Sequence, residues 1–555
     1  MKVKKLLAIA MALCMTVSMM TGCSSGESQE ETPKEETSQA TEENKEEKSE
    51  DNTEQEAANV PEEEKYGGVL TMALSAVASN LDPVKFTGTY EDQIIRTIGD
   101  TLVTYNHDMT ELVGALATEW SANEAGDVYH FKLRDDVYFQ KGKYQDGRQM
   151  TAEDVKYSLE RSAKESALNR LDMLDHVEVI NDFEIDCYLK TPNSAFLAAL
   201  NNGGNIIVPK EEVEGWGEDF GAHLVGTGPF AMKEMITDQS CEVVRNDNYW
   251  GPKPYLDGVI FRFITDVNMR SNALRSGEVQ IANDLKDESI KIVREDENLK
   301  TNEVPGMQVN YMYMNMKEGP TADIRVRTAI IQALDIEQMN KALYQYGEAE
   351  RAYMPLPPIS WGYDETLEDS VPKYDPEAAK KLLAEAGYPD GFTMEYYTSD
   401  SASAMKVATI FQQYMKQNLN IDVQIKTAQW GTFSAMGASG KAPIYGMSWT
   451  WDPDPYFYLN QMFHSSAIGS LGNGQGFSNP EVDKLLDEAV KISDQEERAK
   501  LYKQALKIIV ESNAQINYSN MKIIDGLSNK VQGYDSYADR HIVICSPEVN
   551  TWLMK

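Results

Sequence analysis

The chain has 555 residues, of which 88 are acidic and 52 are basic, and its formal net charge is −36. This charge argues against a nucleic-acid partner, since phosphate binding needs a basic surface, and it disfavours adsorption to anionic lipid head groups. A hydrophobic content of 42% excludes wholesale disorder, and the length predicts two or three domains rather than one core.

The N-terminal segment has the pattern of an export signal. Three lysines precede an apolar run at residues 6–20, which as a helix spans roughly 22 Å and is too short for the ~30 Å hydrocarbon core. Residues 1–22 are therefore predicted to be a signal peptide. Two small residues directly before Cys23 resemble the bacterial lipobox, which implies a lipoprotein held at the cell membrane by acyl chains such as palmitate on Cys23. The alternative is an ordinary signal peptide with a chance cysteine.

The next segment is strongly acidic. Residues 24–65 contain 16 acids, four lysines and no aromatic residue, for a net charge of −12. Such a composition forms no core, so residues 23–65 are predicted to be the lipidated cysteine followed by a disordered tether. Setting aside this tether and the +3 export signal leaves −27 on residues 66–555, and a folded part this acidic favours cationic ligands.

Strands and helices alternate through the rest of the chain. Runs of β-branched and aromatic residues, some with alternating polarity, predict strands, and apolar residues at helical spacing after Thr, Asn-Pro or Asp-Pro predict helices. The predicted strands are 68–74, 129–134, 259–264 and 421–425, and the predicted helices are 151–163, 377–386, 405–418, 481–491 and 496–511. Such alternation predicts α/β layers rather than a bundle or a sandwich.

No catalytic or metal-binding motif stands out in the sequence. The six histidines are isolated, and only His464, close to an aromatic segment, is a candidate for attention. There is no serine nucleophile elbow and no phosphate-binding loop. The sequence therefore predicts no metal, no cofactor and no enzymatic activity, and it favours binding without catalysis.

The cysteines of the folded part have no recognisable framework. Cys187, Cys241 and Cys545 are an odd number and lie far apart in the sequence. Buried free thiols are therefore favoured over a disulfide.

The most unusual local segment is residues 447–458. It places Trp449, Trp451 and three further aromatic residues around Asp452 and Asp454. A buried carboxylate needs a cationic or hydrogen-bonding partner, and a ligand ammonium would supply one while the aromatic rings add cation–π attraction. The alternative is a core-lining turn whose acids cap the local backbone.

Several short motifs, read together, resemble one family. In chain order they include Gly67-Gly68-Val69-Leu70, Asn80-Leu81-Asp82-Pro83, Asp146-Gly147-Arg148, Thr151-Ala152-Glu153-Asp154-Val155, Gly226-Thr227-Gly228-Pro229-Phe230, Asn246-Asp247-Asn248-Tyr249-Trp250-Gly251, Arg275-Ser276-Gly277-Glu278 and Ser478-Asn479-Pro480-Glu481-Val482-Asp483. The ordered set is similar to the large solute-binding proteins of ABC importers for oligopeptides, dipeptides or nickel chelates, solute-binding protein family 5.

This resemblance implies a fold. The expected structure is α/β and periplasmic-binding-protein-like, of type II in its large three-part form, with two main lobes joined by a hinge and an extra inserted lobe. Lobe I is expected at 66–100, 223–304 and 519–555, lobe II at 101–222, and lobe III at 305–518. The ligand would be trapped between lobes I and III when the hinge closes.

The resemblance also implies site residues. In peptide-binding relatives an aspartate just after a tryptophan holds the peptide amino terminus, which matches Asp452, with Asp454 as a rival. Trp449 and Trp451 would wall the site, and Trp430 falls where the family often lines the pocket. Asn80, Thr87 and Gly88 would lie on the opposing lobe.

One departure from the pattern concerns ligand length. Dipeptide-binding members place an arginine after a lobe III strand to fix the peptide carboxylate, and residues 396–401 contain none. This absence favours longer peptides held through backbone groups.

The implied function is a monomeric, lipid-anchored extracytoplasmic receptor, at the cell membrane or in the periplasmic space. It would deliver oligopeptides to the transmembrane subunits of an ABC permease with a cytoplasmic ATPase, and it would bind no nucleic acid. The alternatives are a nickel chelate or an oligosaccharide as ligand, or, in a different class, a secreted hydrolase or a peptide-sensing receptor.

Overall fold

The computed structural model describes residues 60–555. The predicted signal peptide, the lipidation site Cys23 and most of the predicted tether lie outside this range. The last predicted tether residues include one helical turn, Glu62–Lys65, which begins with three acids at its positively polarised end. No helix among the described residues has the length and apolar character needed to cross a bilayer.

The described part contains helices in every region of the chain. They are α1 (Glu62–Lys65), α2 (Thr89–Ile98), α3 (Ala152–Glu165), α4 (Phe196–Leu200), α5 (Lys210–Trp216), α6 (Val267–Arg275), α7 (Glu288–Arg294), α8 (Ile324–Gln332), α9 (Ile336–Leu343), α10 (Pro376–Glu385), α11 (Ala402–Leu419), α12 (Trp430–Ala438), α13 (Tyr456–Phe463), α14 (Pro480–Ala489) and α15 (Gln495–Glu511). Short 3-10 helices lie at Gly203–Asn205, Gly217–Ala222, Pro320–Ala322, Glu365–Ser370 and Ser465–Ala467.

The strands follow the same intermixed order. They are β1 (Val69–Leu74), β2 (Val103–Tyr105), β3 (Leu112–Gly114), β4 (Ala117–Ala122), β5 (Val128–Leu133), β6 (Leu174–Asn181), β7 (Glu184–Leu189), β8 (Phe230–Ile236), β9 (Ser240–Arg245), β10 (Gly258–Phe263), β11 (Ile281–Ala282), β12 (Leu299–Met314), β13 (Ala349–Arg351), β14 (Thr393–Ser399), β15 (Asp422–Ala428), β16 (Ile444–Trp449), β17 (Gln515–Ser528), β18 (Val531–Gln532) and β19 (Trp552–Leu553).

One sheet of 11 strands runs through most of the structure. Its order is β15-β14-β16-β12-β17-β11-β1-β10-β9-β8, and β13 also pairs with β17. The long strands β12 and β17, of 16 and 14 residues, pair antiparallel in the middle, with a register shift between Pro305 and Val309. They separate a first half-sheet (β1 and β8–β11) from a second half-sheet (β14–β16), so the two halves meet at this central pair.

A separate sheet of four strands has the order β4-β5-β7-β6. All of its strands fall within the segment 101–222 that the sequence assigned to an inserted lobe, and α3 packs against β6. In the hydrophobic core, Phe131 and Ile185 of this small sheet belong to the same cluster as Tyr313, Tyr502 and Leu506. The lobe boundaries themselves stay a prediction.

Local sequence rules position most of these elements. Asp154 accepts a hydrogen bond from the Thr151 backbone N–H at 2.9 Å and so caps α3. Asp375 caps α10 through the backbone N–H of Ala378 at 2.9 Å, and Asn479 caps α14 in the same way. The nine predicted elements are confirmed within a few residues at each end, since caps and periodicity are local properties.

The three cysteines of the described part, Cys187, Cys241 and Cys545, are free and buried. Burial raises the pKa of Cys241 and of Cys545 to about 12, so their thiols stay protonated. The prediction of buried free thiols is confirmed.

Candidate functional site

The main cleft lies where the two half-sheets meet. A cavity of about 740 Å³ is bounded by the ends of β14 and β16, the first turns of α11 and α12, and the central strands. Its lining includes Trp430, Thr398, Ser448, Tyr344 and Gln308. The carboxyl ends of parallel strands form a crevice of this kind, and β14 is parallel to both β15 and β16.

A second cavity of about 240 Å³ adjoins the first, because Lys286 and Gln308 line both. Thr89 and Tyr90 of α2 line one side of it, and Thr450, just after β16, lines another. The two cavities together form a cleft that reaches from the second half-sheet to the first.

Asp284 and Asp525 of the smaller cavity both have partners within the protein, Asp284 cationic ones and Asp525 neutral hydrogen-bond donors. Asp284 pairs with Lys286 and with Arg540, each at 2.9 Å, and these partners hold its pKa at about 2 against the effect of burial. Asp525 accepts hydrogen bonds from Ser536 at 2.7 Å and Tyr534 at 2.9 Å, although burial raises its pKa.

Asp452 is a buried carboxylate without an ion-pair partner. It is 7% exposed, and its Oδ1 accepts one long hydrogen bond, from Asn201 Nδ2 at 3.3 Å. No lysine, arginine or histidine nitrogen within residues 60–555 lies within 4.0 Å of this carboxylate. Burial raises the pKa of Asp452 from 3.8 to about 7, with a further rise from the charge of Asp539. A cationic ligand group would relieve this desolvation.

The surroundings of Asp452 bring together four distant segments. Arg96 of α2 is close enough to lower the pKa of Asp452, but it pairs with Asp92 at 2.9 Å. Asp539, from the C-terminal segment, is held by His541 Nδ1 at 2.5 Å, and this contact keeps its pKa at about 2. The aromatic loop, α2, the inserted segment and the C-terminal segment therefore converge on one carboxylate.

Asp454 has a different environment, although it lies in the same loop. Its two oxygens accept from Arg498 Nη2 at 3.0 and 2.8 Å, and both side chains are buried. Asp454 Oδ1 also accepts from the backbone N–H of Tyr456 at 3.0 Å. This carboxylate is neutralised and caps the local backbone, as the alternative interpretation of the loop expected.

Trp449 and Trp451 make their contacts inside the loop. The Trp449 indole N–H donates to the carbonyl oxygen of Phe457 at 2.9 Å, and Trp451 stacks on the Phe457 ring at 5.4 Å between centroids. Neither residue is among those that line the two cavities of the cleft. Their contact with a ligand stays a prediction.

The remaining candidate residues are spread over the cleft and its rim. Trp430 begins α12, lines the 740 Å³ cavity and is 59% exposed. Gly88 directly precedes α2, and Thr87 is exposed beside it; the next two residues, Thr89 and Tyr90, line the smaller cavity. Asn80 accepts from the Asp82 backbone N–H at 2.8 Å and lines neither cavity.

The segment without an arginine, 396–401, lies along the large cavity. Thr398, Ser399 and Ser401 line it, and Ser401 caps α11 through the Ala404 backbone N–H at 3.3 Å. Among residues 60–555, the basic side chains that line this cavity are those of Lys286 and Lys406. The cavity wall is therefore polar but carries no guanidinium at this position.

The comparison with known proteins decides the family. Residues 111–470 match the family model described as bacterial extracellular solute-binding proteins, family 5, middle. The chain belongs to this family. The resemblance stated from the sequence is thereby confirmed, and so is the expected α/β fold of the type II periplasmic binding proteins.

Relatives of known name cover nearly all of the described part. Heme-binding protein A of Haemophilus influenzae is 30% identical over 473 residues, covering 80% of this chain and 86% of the relative. The dipeptide-binding protein of Escherichia coli is 26% identical over 481 residues, covering 82% and 89%. The structure of the periplasmic binding protein DppA from Helicobacter pylori, in complex with the peptide STSA, matches with a TM-score of 0.74 at 29% identity, covering 89% of this chain and 99% of that chain.

Membership in family 5 fixes the general role. Its members are extracellular solute-binding proteins rather than enzymes. Across residues 60–555, no three His, Cys, Asp or Glu side chains are grouped to hold a metal ion. His464, which the sequence singled out, bonds to Ser466 at 2.6 Å and lines neither cavity of the cleft.

Several residues around Asp452 were not found from the sequence. Arg96, Asn201 and Asp539 lie 356, 251 and 87 residues from Asp452 in the chain but close to it in the structure. Like Asp452 itself, they line neither cavity of the cleft. None belongs to a motif whose spacing points to a binding site. Thr450, which lines the smaller cavity, is the exception, since it lies inside the aromatic segment directly after β16.

Proposed function

We propose that this family 5 protein is a lipid-anchored receptor that captures oligopeptides in the cleft between its two main lobes and delivers them to an ABC permease. The lobes have the boundaries given above, the anchor is Cys23, and the receptor acts as a monomer. The permease consists of transmembrane subunits with a cytoplasmic ATPase.

The observation that carries this proposal is the state of Asp452. A carboxylate that is buried and has no cation within ion-pair distance is costly in the free protein, and a peptide ammonium would supply the missing partner. Asp454 makes a poorer candidate, because Arg498 already occupies both of its oxygens. Asp452 therefore holds the peptide amino terminus, and Asp454 holds the loop.

Peptides longer than two residues fit the cleft better than dipeptides do. The combined cavities exceed the usual ~300 Å³ lower limit of small-molecule pockets, and no arginine follows β14 to fix a carboxylate close to the amino terminus. The relatives named for dipeptides and the structure with the peptide STSA support a peptide as the ligand class. Trp430, which lines the larger cavity, packs on the peptide side chains.

Native mass spectrometry of the mature protein, followed by calorimetric titration of the released ligand, tests the proposal. A co-purified peptide should bind wild type and lose ~30-fold or more in affinity on Asp452→Asn, because a hydrogen-bonded charge contact contributes about 2–3 kcal/mol. Asp369→Asn removes an equal charge from an exposed helix and should bind like wild type. Equal affinity of Asp452→Asn and wild type would reject the assignment of the amino-terminal site.

The anchor and the transport role are tested separately in cells. Cys23→Ala should move the protein from the membrane fraction to the soluble extracytoplasmic fraction while leaving peptide affinity unchanged. Deletion of the gene should abolish growth on the bound peptide as a sole amino-acid source. A strain that still imports this peptide at the wild-type rate would contradict the transport role.

A further inference from the structure

A third cavity adjoins the smaller cavity of the cleft, with which it shares three lining residues. It has a volume of about 460 Å³ and is bounded by the end of α2 with the residues that follow it, by β3, by the loop before β10 and by the C-terminal segment 541–548. This volume falls within the usual range of ~300–1,000 Å³ for small-molecule pockets. No residue predicted from the sequence as a ligand contact lines it.

Most of the wall of this cavity is apolar and aromatic. Tyr105, Val113, Pro229, Trp250 and Ile544 are among its lining residues. Tyr249 packs against Trp250 with ring centroids 5.2 Å apart, so two neighbouring aromatic rings form one side. Such a wall suits the apolar body of a ligand rather than a strongly hydrated one.

Asp100 is a carboxylate of this wall that has no charge partner among the described residues. Its Oδ2 accepts from Thr227 Oγ1 and from Trp250 Nε1, each at 2.9 Å. No basic side chain among the described residues lies within 4.0 Å of it. Burial raises the pKa of Asp100, while the neutral donors Trp250, Thr227 and Tyr249 lower it. The neutral donors fix the orientation of the carboxylate but leave its charge uncompensated.

The other charged groups around the cavity are accounted for. Arg96 pairs with Asp92 at 2.9 Å, and Arg134 makes a two-fold contact with Asp136 at 2.8 and 2.7 Å. Glu548 is exposed and accepts from the backbone N–H of His107, with no basic side chain in ion-pair range within the described part. The cavity wall therefore has two carboxylates without an ion-pair partner among the described residues, and both of its arginines are paired with acids.

We propose that this cavity is a second ligand site, which binds a primary amine or guanidinium carried on an apolar or aromatic body. Asp100 binds the cationic group, and Trp250 with its aromatic neighbour holds the apolar body. The site is distinct from the cleft, because Asp100 lines this cavity and neither cavity of the cleft.

The cationic group has two possible sources. One is a free amine, and the other is the lysine or arginine side chain of a peptide held in the cleft. A peptide side chain could reach this cavity from the cleft, because the two cavities share a wall. Tyr537, His541 and Ile542 line both this cavity and the 240 Å³ cavity. Either source places a cationic nitrogen group against the Asp100 carboxylate.

The test uses the mature protein and 4-fluorophenethylamine, observed by fluorine NMR. The amine should show a broadened, shifted resonance with wild type, whereas 4-fluorophenylacetate, of the same shape and opposite charge, should not. Asp100→Asn should weaken amine binding at least tenfold, since a charge-assisted contact is lost. Val113→Trp, which fills the cavity from an exposed position and leaves the carboxylate in place, should do the same.

Asp452→Asn separates this site from the cleft. If amine binding survives Asp452→Asn and is lost in both cavity variants, the second site is supported whatever becomes of the peptide-receptor proposal. If Asp452→Asn abolishes amine binding while Asp100→Asn and Val113→Trp retain it, the amine occupies the cleft and the inference is overturned. No response to the amine in wild type overturns it as well.

Competition identifies the source of the cation. Displacement of the amine by Ala-Lys-Ala but not by the matched tripeptide with norleucine assigns the site to a peptide side chain. Displacement by neither tripeptide assigns it to a free amine. Displacement of the amine by both tripeptides equally places it in the cleft and overturns the inference.

Discussion

The aromatic loop contains two regions that look alike in sequence and differ in structure. Asp454, at its distal end, is closed off by Arg498 and by the backbone of α13, whereas Asp452, at the end facing α2, has one long hydrogen bond and no cation. Both carboxylates are almost fully buried. The difference teaches that burial alone does not distinguish the two acids; of the two, only Asp452 lacks a cationic partner among residues 60–555, which makes it the candidate ligand contact.

The largest expected effect on stability comes from breaking the ion pair between Asp454 and Arg498. Asp454→Ala should lower the free energy of unfolding by about 3–5 kcal/mol, because it leaves Arg498 buried without its carboxylate. Urea denaturation of the purified variant measures this loss. The double variant Asp454→Leu with Arg498→Met should recover most of the stability. A single variant within ~0.5 kcal/mol of wild type would show that the pair does not hold the loop.

Replacing Asp452 should have the opposite effect on stability. The raised pKa of Asp452 means that the folded state favours the protonated carboxyl, so this group stabilises the fold below pH 4 and loses that contribution as the pH rises to about 7. Asp452→Asn should therefore be more stable than ligand-free wild type at pH 8, by up to about 4 kcal/mol. Urea titrations at pH 8 and pH 5 should show the gap shrinking towards acid; a constant gap would refute the assignment.

Peptide binding should also depend on the protonation of Asp452. An ammonium binds the carboxylate form, so binding must release the proton when the pH lies below about 7. Affinity should fall about tenfold between pH 8 and pH 6 in wild type and stay level in Asp452→Asn. Calorimetry in two buffers of different ionisation enthalpy counts the released proton, and a count of zero at pH 6 would contradict the mechanism.

The smallest expected effect is at the exposed rim of the cleft. Trp430→Ala should weaken peptide binding by roughly three- to tenfold, as aromatic contacts at a partly solvated rim contribute about 1 kcal/mol. The melting temperature should not change, because the side chain is more than half exposed. Val69→Ala, another exposed apolar residue outside the cleft, is the matched control and should bind like wild type.

The predictable parts of the fold are those that residues close together in the sequence determine. Helix caps at Thr151, Asp375 and Asn479 and the alternating strand at 129–134 act over a few positions, so the sequence shows them directly. The ordered family motifs then supplied the architecture. In the inserted four-stranded sheet, β4–β5 and β6–β7 are hairpins of neighbouring strands, but β5 pairs with β7 from a distant part of the chain, and no local signature shows that pairing.

The site was predictable only as a segment. The sequence located the aromatic loop but did not distinguish its two acids, since the deciding partner of Asp454 lies 44 residues away on α15. Trp449 ends β16 and bonds to the Phe457 carbonyl oxygen inside the loop, whereas the three residues before it, 446–448, line the larger cavity. This contact depends on the folded loop, so the sequence did not show which of these neighbouring residues face the cavity.

The three buried thiols have a practical consequence. Because none of them pairs and burial keeps them protonated, folding of the described part requires no oxidant, and the chain from residue 24 onward should be obtainable from a reducing bacterial cytoplasm. A single cysteine introduced on the surface would be the one reactive thiol of that chain. Paired with a second introduced cysteine across the cleft, it would let fluorescence energy transfer report opening and closing in solution.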